Sequence, residues 1–484
     1  MLHIGRNIIS LLISRVLAAV ILFLIYTRLI QYLGPEAAGQ FGLVAAYLTV
    51  FNFFVDIGMQ QLVIKKVSED KSLASKYLGN YFGIQFCLGL IFMGIMVSLI
   101  LVAHYPPLVR NSLLVASAGL LLSSLTMPLM AIINAFQKLG LIARVNFFNS
   151  MINAGMMVVA IIMRKNIFFL AFISGIVAAF DVLIYGYWVN KKFTPFRLQF
   201  DWAFWKQLLI WNTPFMLLTI FSIYNRIDTL ILPHLRSFTE NGYYTAVYKF
   251  WDTLAFVPAV IAAALYPFFA ETLARGEKKQ AGEVLEIYTR YMIALGIPLS
   301  IGAYLLAHKL TLSFFGQAFA PAAPALWLLV AAVSVLIIYV PVNSVIISQK
   351  TKIATIITGC TLVFNLAMNL IFIPKYGFVA AAVITLLSEL MQLIGYTIVV
   401  KRQVVNFNYL SSFVKPILAG IVMGGVIIWL KNTNLWILIG SGGLVYAASL
   451  LTLRFFTKRD LELLKASFNF RQRLEPDVPP TTNL

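Results

Sequence analysis

Charge is what this sequence has least of: Asp, Glu, Lys and Arg make up 11% of its 484 residues, while 61% are hydrophobic. Soluble domains carry about a quarter charged residues, so a soluble fold is excluded, and the mean hydropathy of +0.88 points to lipid as the main solvent. Cysteine is nearly absent. Cys87 and Cys360 both fall in apolar runs, so neither a disulfide framework nor a thiolate metal site is encoded. The histidines His3, His104, His234 and His308 sit at scattered loop or terminal positions without ligand spacing. No GxxxxGK[ST] stretch and no long polar loop occur, leaving no place for a nucleotide site or a catalytic domain. No resident cofactor is expected, and the chain does not read as an enzyme.

What the sequence does have is apolar runs. About 20 apolar residues cross the hydrocarbon of a bilayer, and runs of that length lie near 8–33, 40–64, 77–103, 111–134, 141–163, 167–189, 207–233, 243–270, 287–307, 323–348, 353–373, 377–400, 412–430 and 435–457. The spacing predicts an all-α, polytopic membrane protein with about 14 transmembrane helices. The first run is too long for a signal-peptide core and is expected to remain as a span. The segment beyond Arg471 is Pro-rich and polar, and is expected to be disordered.

Acidic residues number 18 against 37 Lys and Arg, giving a net charge of +19. A nucleic-acid partner would need a basic face on a soluble domain, and none is encoded. Alternating the loops from a cytoplasmic N-terminus instead puts about 24 Lys and Arg inside and about 7 outside, the bias that orients membrane proteins. Both termini are therefore expected in the cytoplasm, with the chain in the cell inner membrane.

Nine charges fall within the spans: Arg15, Arg28, Asp56, Asp181, Arg226, Asp228, Lys249, Asp252 and Glu389. Each costs about 2.5–3.5 kcal/mol when it faces lipid near the midplane, together roughly 20–30 kcal/mol, so they must face a cavity or one another. Arg28, Arg226 and Lys249 lie toward one level of the bilayer, and Arg15 is a fourth candidate for the same ligand. A planar guanidinium fork and a compact ammonium suit a diphosphate. Tyr224, Tyr248 and Trp251, with Tyr243 and Tyr244 nearby, could stack on and hydrogen-bond sugars at that level. Asp56, Asp181 and Glu389 have no cation at i±3 or i±4 and, with Asp228 and Asp252, are candidates for ion coupling or cavity carboxylates. Structural roles stay open. Arg28 could snorkel to the interface, Lys249 and Asp252 could pair at i, i+3, and the lone carboxylates could pair with Arg15 or another cation on a neighbouring helix. Pro128, Pro214, Pro258, Pro298 and Pro341 are expected to kink their spans, whereas Gly79-xxx-Gly83 and Gly420-xxx-Gly424 read as helix packing.

A short internal echo links Gly39-Gln-Phe-Gly-Leu-Val-Ala-Ala-Tyr in the second span with Gly242-Tyr-Tyr-Thr-Ala-Val-Tyr-Lys-Phe in the eighth. An offset of six spans preserves orientation, as in parallel repeats about an axis along the membrane normal. Chance similarity remains an equal explanation.

The stretch TRLIQYLGPEAAGQFGLVAAYLTVFNFFVDIGMQQLVIKKVSE, from Thr27 to Glu69, resembles the opening of the polysaccharide-transporter (Wzx-type) family of the multidrug/oligosaccharidyl-lipid/polysaccharide (MOP) flippase superfamily. Ala135-Phe-Gln-Lys-Leu-Gly, Arg226-Ile-Asp-Thr-Leu-Ile-Leu through Asn241-Gly-Tyr-Tyr, and Asn369-Leu-Ile-Phe-Ile-Pro-Lys-Tyr-Gly resemble it at corresponding places. The resemblance implies two six-helix lobes in a V shape, residues 1–206 and 207–411, an extra helix pair at 412–457 and a cytoplasmic tail at 458–484. It implies alternating access driven by an H⁺ or Na⁺ gradient, and an undecaprenyl-diphosphate-linked oligosaccharide carried from the inner to the outer leaflet. The implied partners are that lipid, the membrane lipids, and the polymerase and chain-length proteins of polysaccharide synthesis. Asp228 and Asp252 nearly balance the intramembrane cations, a departure from a simple anion-binding cavity. Two relatives compete, a lipid II flippase of peptidoglycan synthesis and a drug or cation antiporter with 12 spans. A membrane-embedded polymerase or glycosyltransferase would need a sizeable outer loop or acidic motif that this sequence lacks.

Overall fold

The computed structural model describes residues 2–221 and 224–456; side chains at 2–19, 139, 259, 263–264 and at several positions within 214–225 lie outside that description, those of Arg15 and Tyr224 among them. Among the described residues every regular element is helical. The helices are α1 (Leu2–Asp56), α2 (Met59–Glu69), α3 (Ala74–Val102), α4 (Pro107–Ala135), α5 (Leu139–Ile162), α6 (Ile167–Lys192), α7 (Trp202–Phe221), α8 (Tyr224–Leu235), α9 (Phe238–Leu254), α10 (Phe256–Ala274), α11 (Lys278–Phe315), α12 (Ala323–Gln349), α13 (Thr351–Gln403), α14 (Val414–Trp429) and α15 (Leu435–Thr452).

Among the described residues, eleven helical segments are long and apolar enough to cross a membrane. Two contain a break. α1 turns at Gly34, φ +73°, immediately before Pro35, and α13 turns at Gly377, φ +62°, three residues after Pro374. Glycine takes a positive φ without a Cβ clash, and proline withholds the N–H that would continue the helix. Counting each broken helix twice and adding the 20-residue α7 gives the 14 crossings that the apolar runs predict. Ile162, Leu183, Val363, Trp429 and Leu444 are each more than two-thirds exposed, a surface that only lipid can solvate favourably.

Two expected continuous spans are interrupted. The 40–64 run breaks at Ile57 (φ +42°) and Gly58 (φ +74°), so that α1 ends at Asp56 and α2 restarts at Met59. The 243–270 run breaks between α9 and α10, where Pro258 cannot donate a hydrogen bond back to the carbonyl of Leu254.

The chain forms two compact units. The first contains Met1–Lys249, Thr311–Ala325 and Thr358–Thr385. Its cores are one of Tyr77, Tyr81, Leu129, Ile132, Trp205 and Leu208, and another of Leu43, Tyr47, Phe51, Ile100 and Leu113. The second contains Phe250–Leu310, Leu326–Ile357 and Leu386–Leu484. There Phe269, Leu285, Val342, Ile346 and Tyr396 form a core, and α14 and α15 dock on α11 through Leu306, Met423, Ile427 and Tyr446. The Tyr446 hydroxyl donates to the Ala294 carbonyl at 2.8 Å, and a Cβ on Gly424 would reach Leu305 at 3.3 Å, so the second GxxxG pair does serve packing.

Within the first unit the two echo segments touch. A Cβ built on Gly39 would fall on the Phe238 carbonyl, 2.8 Å from its carbon, and one on Gly242 on the Pro35 carbonyl, 2.7 Å from its carbon. Each glycine thus meets the carbonyl four residues upstream of the other. Three residues on, Gly42 faces Thr245, and Asn241 Nδ2 donates to the Gly39 carbonyl at 2.7 Å. Such reciprocity is what a local two-fold relation between parallel helices produces.

Candidate functional site

Arg226 and Asp228 of α8 and Lys249 of α9 gather in the first unit. Arg226 lies with its guanidinium 4.3 Å from the centre of the Tyr248 ring, and the Lys249 ammonium lies 4.7 Å from the ring of Tyr26 on α1. Each cation is therefore held on an aromatic face, worth about 0.5–2 kcal/mol depending on desolvation. Stacking also fixes the plane of the guanidinium, and hence the direction of its donor fork.

Asp228 stands beside this pair, fully buried. Its carboxylate accepts from the Thr229 N–H at 2.7 Å, from the Tyr244 hydroxyl, and from Thr385 Oγ1 on α13 at 3.4 Å. Arg226 acts on it electrostatically. Tyr244 and Tyr248, one turn apart on α9 with ring centres 5.4 Å apart, serve Asp228 and Arg226 respectively. A buried carboxylate with hydroxyl and amide donors and one neighbouring cation is a group that can exchange an ion without leaving the protein interior.

The remaining predicted residues are distributed more widely. Arg28 is exposed and donates from Nη1 to Gln31 Oε1 at 3.0 Å, and Gln31 in turn donates to the Phe314 carbonyl at 3.0 Å. Asp181 accepts from Asn149 Nδ2 on α5 at 2.6 Å. Asp56 closes α1, its carboxylate against the backbone N–H groups of Gly58 and Gln60. Trp251, Asp252 and Glu389 belong to the second unit, where buried Glu389 accepts from Tyr339 at 2.7 Å. Arg15 and Tyr224 were predicted to join the site, and their side chains lie outside the described residues. A separate apolar cavity of about 150 Å³, lined by Phe41, Leu48, Met157, Leu170 and Ser174, holds none of the charged candidates. No cluster of metal-ligating side chains occurs among the described residues.

Sequence reasoning missed Tyr26 and Thr385 as partners of the charged groups. Thr385 gave a usable signal, a hydroxyl inside an apolar run. Tyr26, one of 21 tyrosines, gave none.

A family model described as polysaccharide biosynthesis protein matches residues 4–273, and the MatE family model matches residues 214–371. No curated protein sequence matches. Among solved structures, the lipid II flippase MurJ in an inward closed conformation is similar with a TM-score of 0.78 and 15% identity, covering 92% of this chain and 99% of that one. An inward-facing multidrug resistance MATE family transporter of the MOP superfamily gives 0.54 and 15%, covering 78% and 93%. At these identities the likeness is one of fold, an all-helical architecture that crosses the membrane many times.

Proposed function

Because the chain belongs to the polysaccharide biosynthesis protein family, we propose that it is a flippase that carries an undecaprenyl-diphosphate-linked oligosaccharide from the inner to the outer leaflet of the cell inner membrane. The observation that carries this reading is the seating of Arg226 and Lys249 on the rings of Tyr248 and Tyr26 inside the membrane-spanning region. The cations offer a diphosphate its counter-charge, and the Tyr248 ring offers a face to the sugars that follow it; Trp251, in the second unit, is a separate candidate for sugar contact. Arg28, exposed near the end of its span, supports capture of the head group rather than its deep binding, and Arg15 is assigned to the same path.

Transport follows alternating access between residues 1–206 and 207–411, with the helix pair at 412–457 beside them. The gradient of H⁺ or Na⁺ acts through intramembrane carboxylates, Asp228 first because its hydrogen bonds link α8, α9 and α13. Asp56, Asp181, Asp252 and Glu389 are the other candidates. The excess of Lys and Arg in alternate loops supports cytoplasmic termini. Polymerase and chain-length proteins are the expected partners at the outer face.

Complementation of a strain lacking its oligosaccharide flippase tests the reading. Wild type restores surface polymer, whereas Arg226→Ala and Lys249→Ala at matched membrane levels do not. If the alanine variants restore polymer fully, the cationic site is refuted. A second reading, a lipid II flippase, is favoured by the fold likeness to MurJ over 92% of this chain. Rescue of a strain depleted of its lipid II flippase, without rescue of polymer, would select it. Drug efflux without either rescue would select an antiporter.

A further inference from the structure

Within the first unit, the break between α1 and α2 gathers polar side chains that the chain leaves incompletely paired. Asp56 Oδ1, the Tyr81 hydroxyl, both amide atoms of Gln85 and Asn212 Oδ1 are buried with no hydrogen-bond partner, five of eleven such atoms among the described residues. They come from three helices, α1, α3 and α7. Tyr81 and Gln85 have no exposed surface, and Asn212 is 1% exposed. The Tyr81 hydroxyl lies against the Gln85 side chain and within electrostatic reach of Asp56. Asn212 Nδ2 donates to the carbonyl of Ile57, the residue after Asp56, at 2.5 Å. That bond aims Asn212 at the break while its own oxygen stays unpaired.

The break itself is an exception to helical backbone at a place where the sequence predicts an unbroken span. Ile57 is a β-branched residue held in the left-handed region, φ +42°, followed by Gly58 at +74°. Irregular backbone inside a membrane-spanning run is tolerated where the freed groups meet a polar partner, and half-helix ends commonly meet ions. Among the described residues no side-chain cation pairs with Asp56. The acceptors at hand are a carboxylate, two side-chain carbonyls and a phenol oxygen. All are oxygens, which select a hard cation. A single carboxylate balances one positive charge.

We propose that the α1–α2 break is a binding site for a small monovalent cation, Na⁺, held by Asp56, Gln85, Asn212 and Tyr81. This assignment deepens the ion-coupled reading above, for a cation seated here ties α1, α3 and α7 together. The site is separate from Asp228, whose hydrogen bonds are already made.

The full chain purified in detergent provides the test, with thermal unfolding followed by tryptophan fluorescence as NaCl replaces choline chloride at constant ionic strength. A saturable rise in melting temperature with Na⁺ is expected. Asp56→Asn and Gln85→Leu abolish the rise, Tyr81→Phe moves it to higher Na⁺, and Glu69→Gln, at the exposed C-terminal end of α2, leaves it intact. Should Gln85→Leu fail to fold, Asp56→Asn and Tyr81→Phe, which removes one oxygen, decide together. Three results overturn the proposal: a melt indifferent to Na⁺, as water filling the site would give; a melt that follows pH only, as a proton site would give; or a Na⁺ response that survives both Asp56→Asn and Tyr81→Phe. Binding is read without transport, so failure of the flippase reading in complementation leaves this outcome standing, and the reverse.

Discussion

Replacing Gly242 by alanine tests the contact between the two echo segments directly. The added Cβ would lie 2.7 Å from the Pro35 carbonyl carbon and 3.1 Å from the Gly39 nitrogen, inside the 3.4 Å at which ordinary contact begins. Both obstacles are backbone, so no rotamer change relieves them, and α9 must back away from α1. Overpacking of this kind costs about 1–3 kcal/mol. If the contact closes one face of the proposed flippase, that cost shifts the closed population by about 5- to 150-fold. The assay is labelling of Thr245→Cys, beside Gly42, by an impermeant thiol reagent in cells, with Cys87 and Cys360 first replaced by serine. Labelling that rises severalfold in the Gly242→Ala background fits the reasoning. Equal labelling in both backgrounds, with protein folded and at equal membrane levels, refutes it.

Other consequences follow from neighbouring contacts. Tyr248→Leu and Tyr26→Leu each remove a ring from beneath a cation, a loss of about 0.5–2 kcal/mol, so complementation should weaken by about 2- to 30-fold at matched expression, and an unchanged polymer yield would deny the rings a role. Asp228→Asn keeps an acceptor for Tyr244 and Thr229 while removing the charge. Flipping in vesicles should then persist without a gradient but lose its response to one, and a retained response would reassign coupling. Gly377→Ala forces a side chain into a left-handed position and onto Glu240, whose carboxylate accepts from the Phe378 N–H at 3.2 Å and from Arg236 at 2.8 Å. Its melting temperature should fall by an amount matching about 1–3 kcal/mol, and an unaltered melt would show that the turn is not constrained.

The crossings were legible because lipid imposes one rule on every span, a long apolar run, and Gly34-Pro35 advertises its own turn. The break at Ile57 was not legible, since an isoleucine in an apolar run carries no mark of a left-handed backbone. Its cause lies in Asp56 turning onto Gly58 and Gln60. The charges of the candidate site could be found by position alone, but their partners could not. Tyr339 reaches Glu389 and Thr385 reaches Asp228 across separations of 50 and 157 residues, where no local spacing rule operates. Gln85 and Asn212 carry no such mark, because a neutral amide in an apolar run stands out less than a charge does, although in lipid it also requires partners.

Most helix contacts can drift over generations, because a larger residue on one side is offset by a smaller one on the other. At Gly39 and Gly242 neither side has anything left to give up, so no compensating exchange exists. If the two halves of the chain descend from one ancestral unit, this crossing is the place where divergence had to stop, and the short echo there is what an otherwise erased duplication would leave behind.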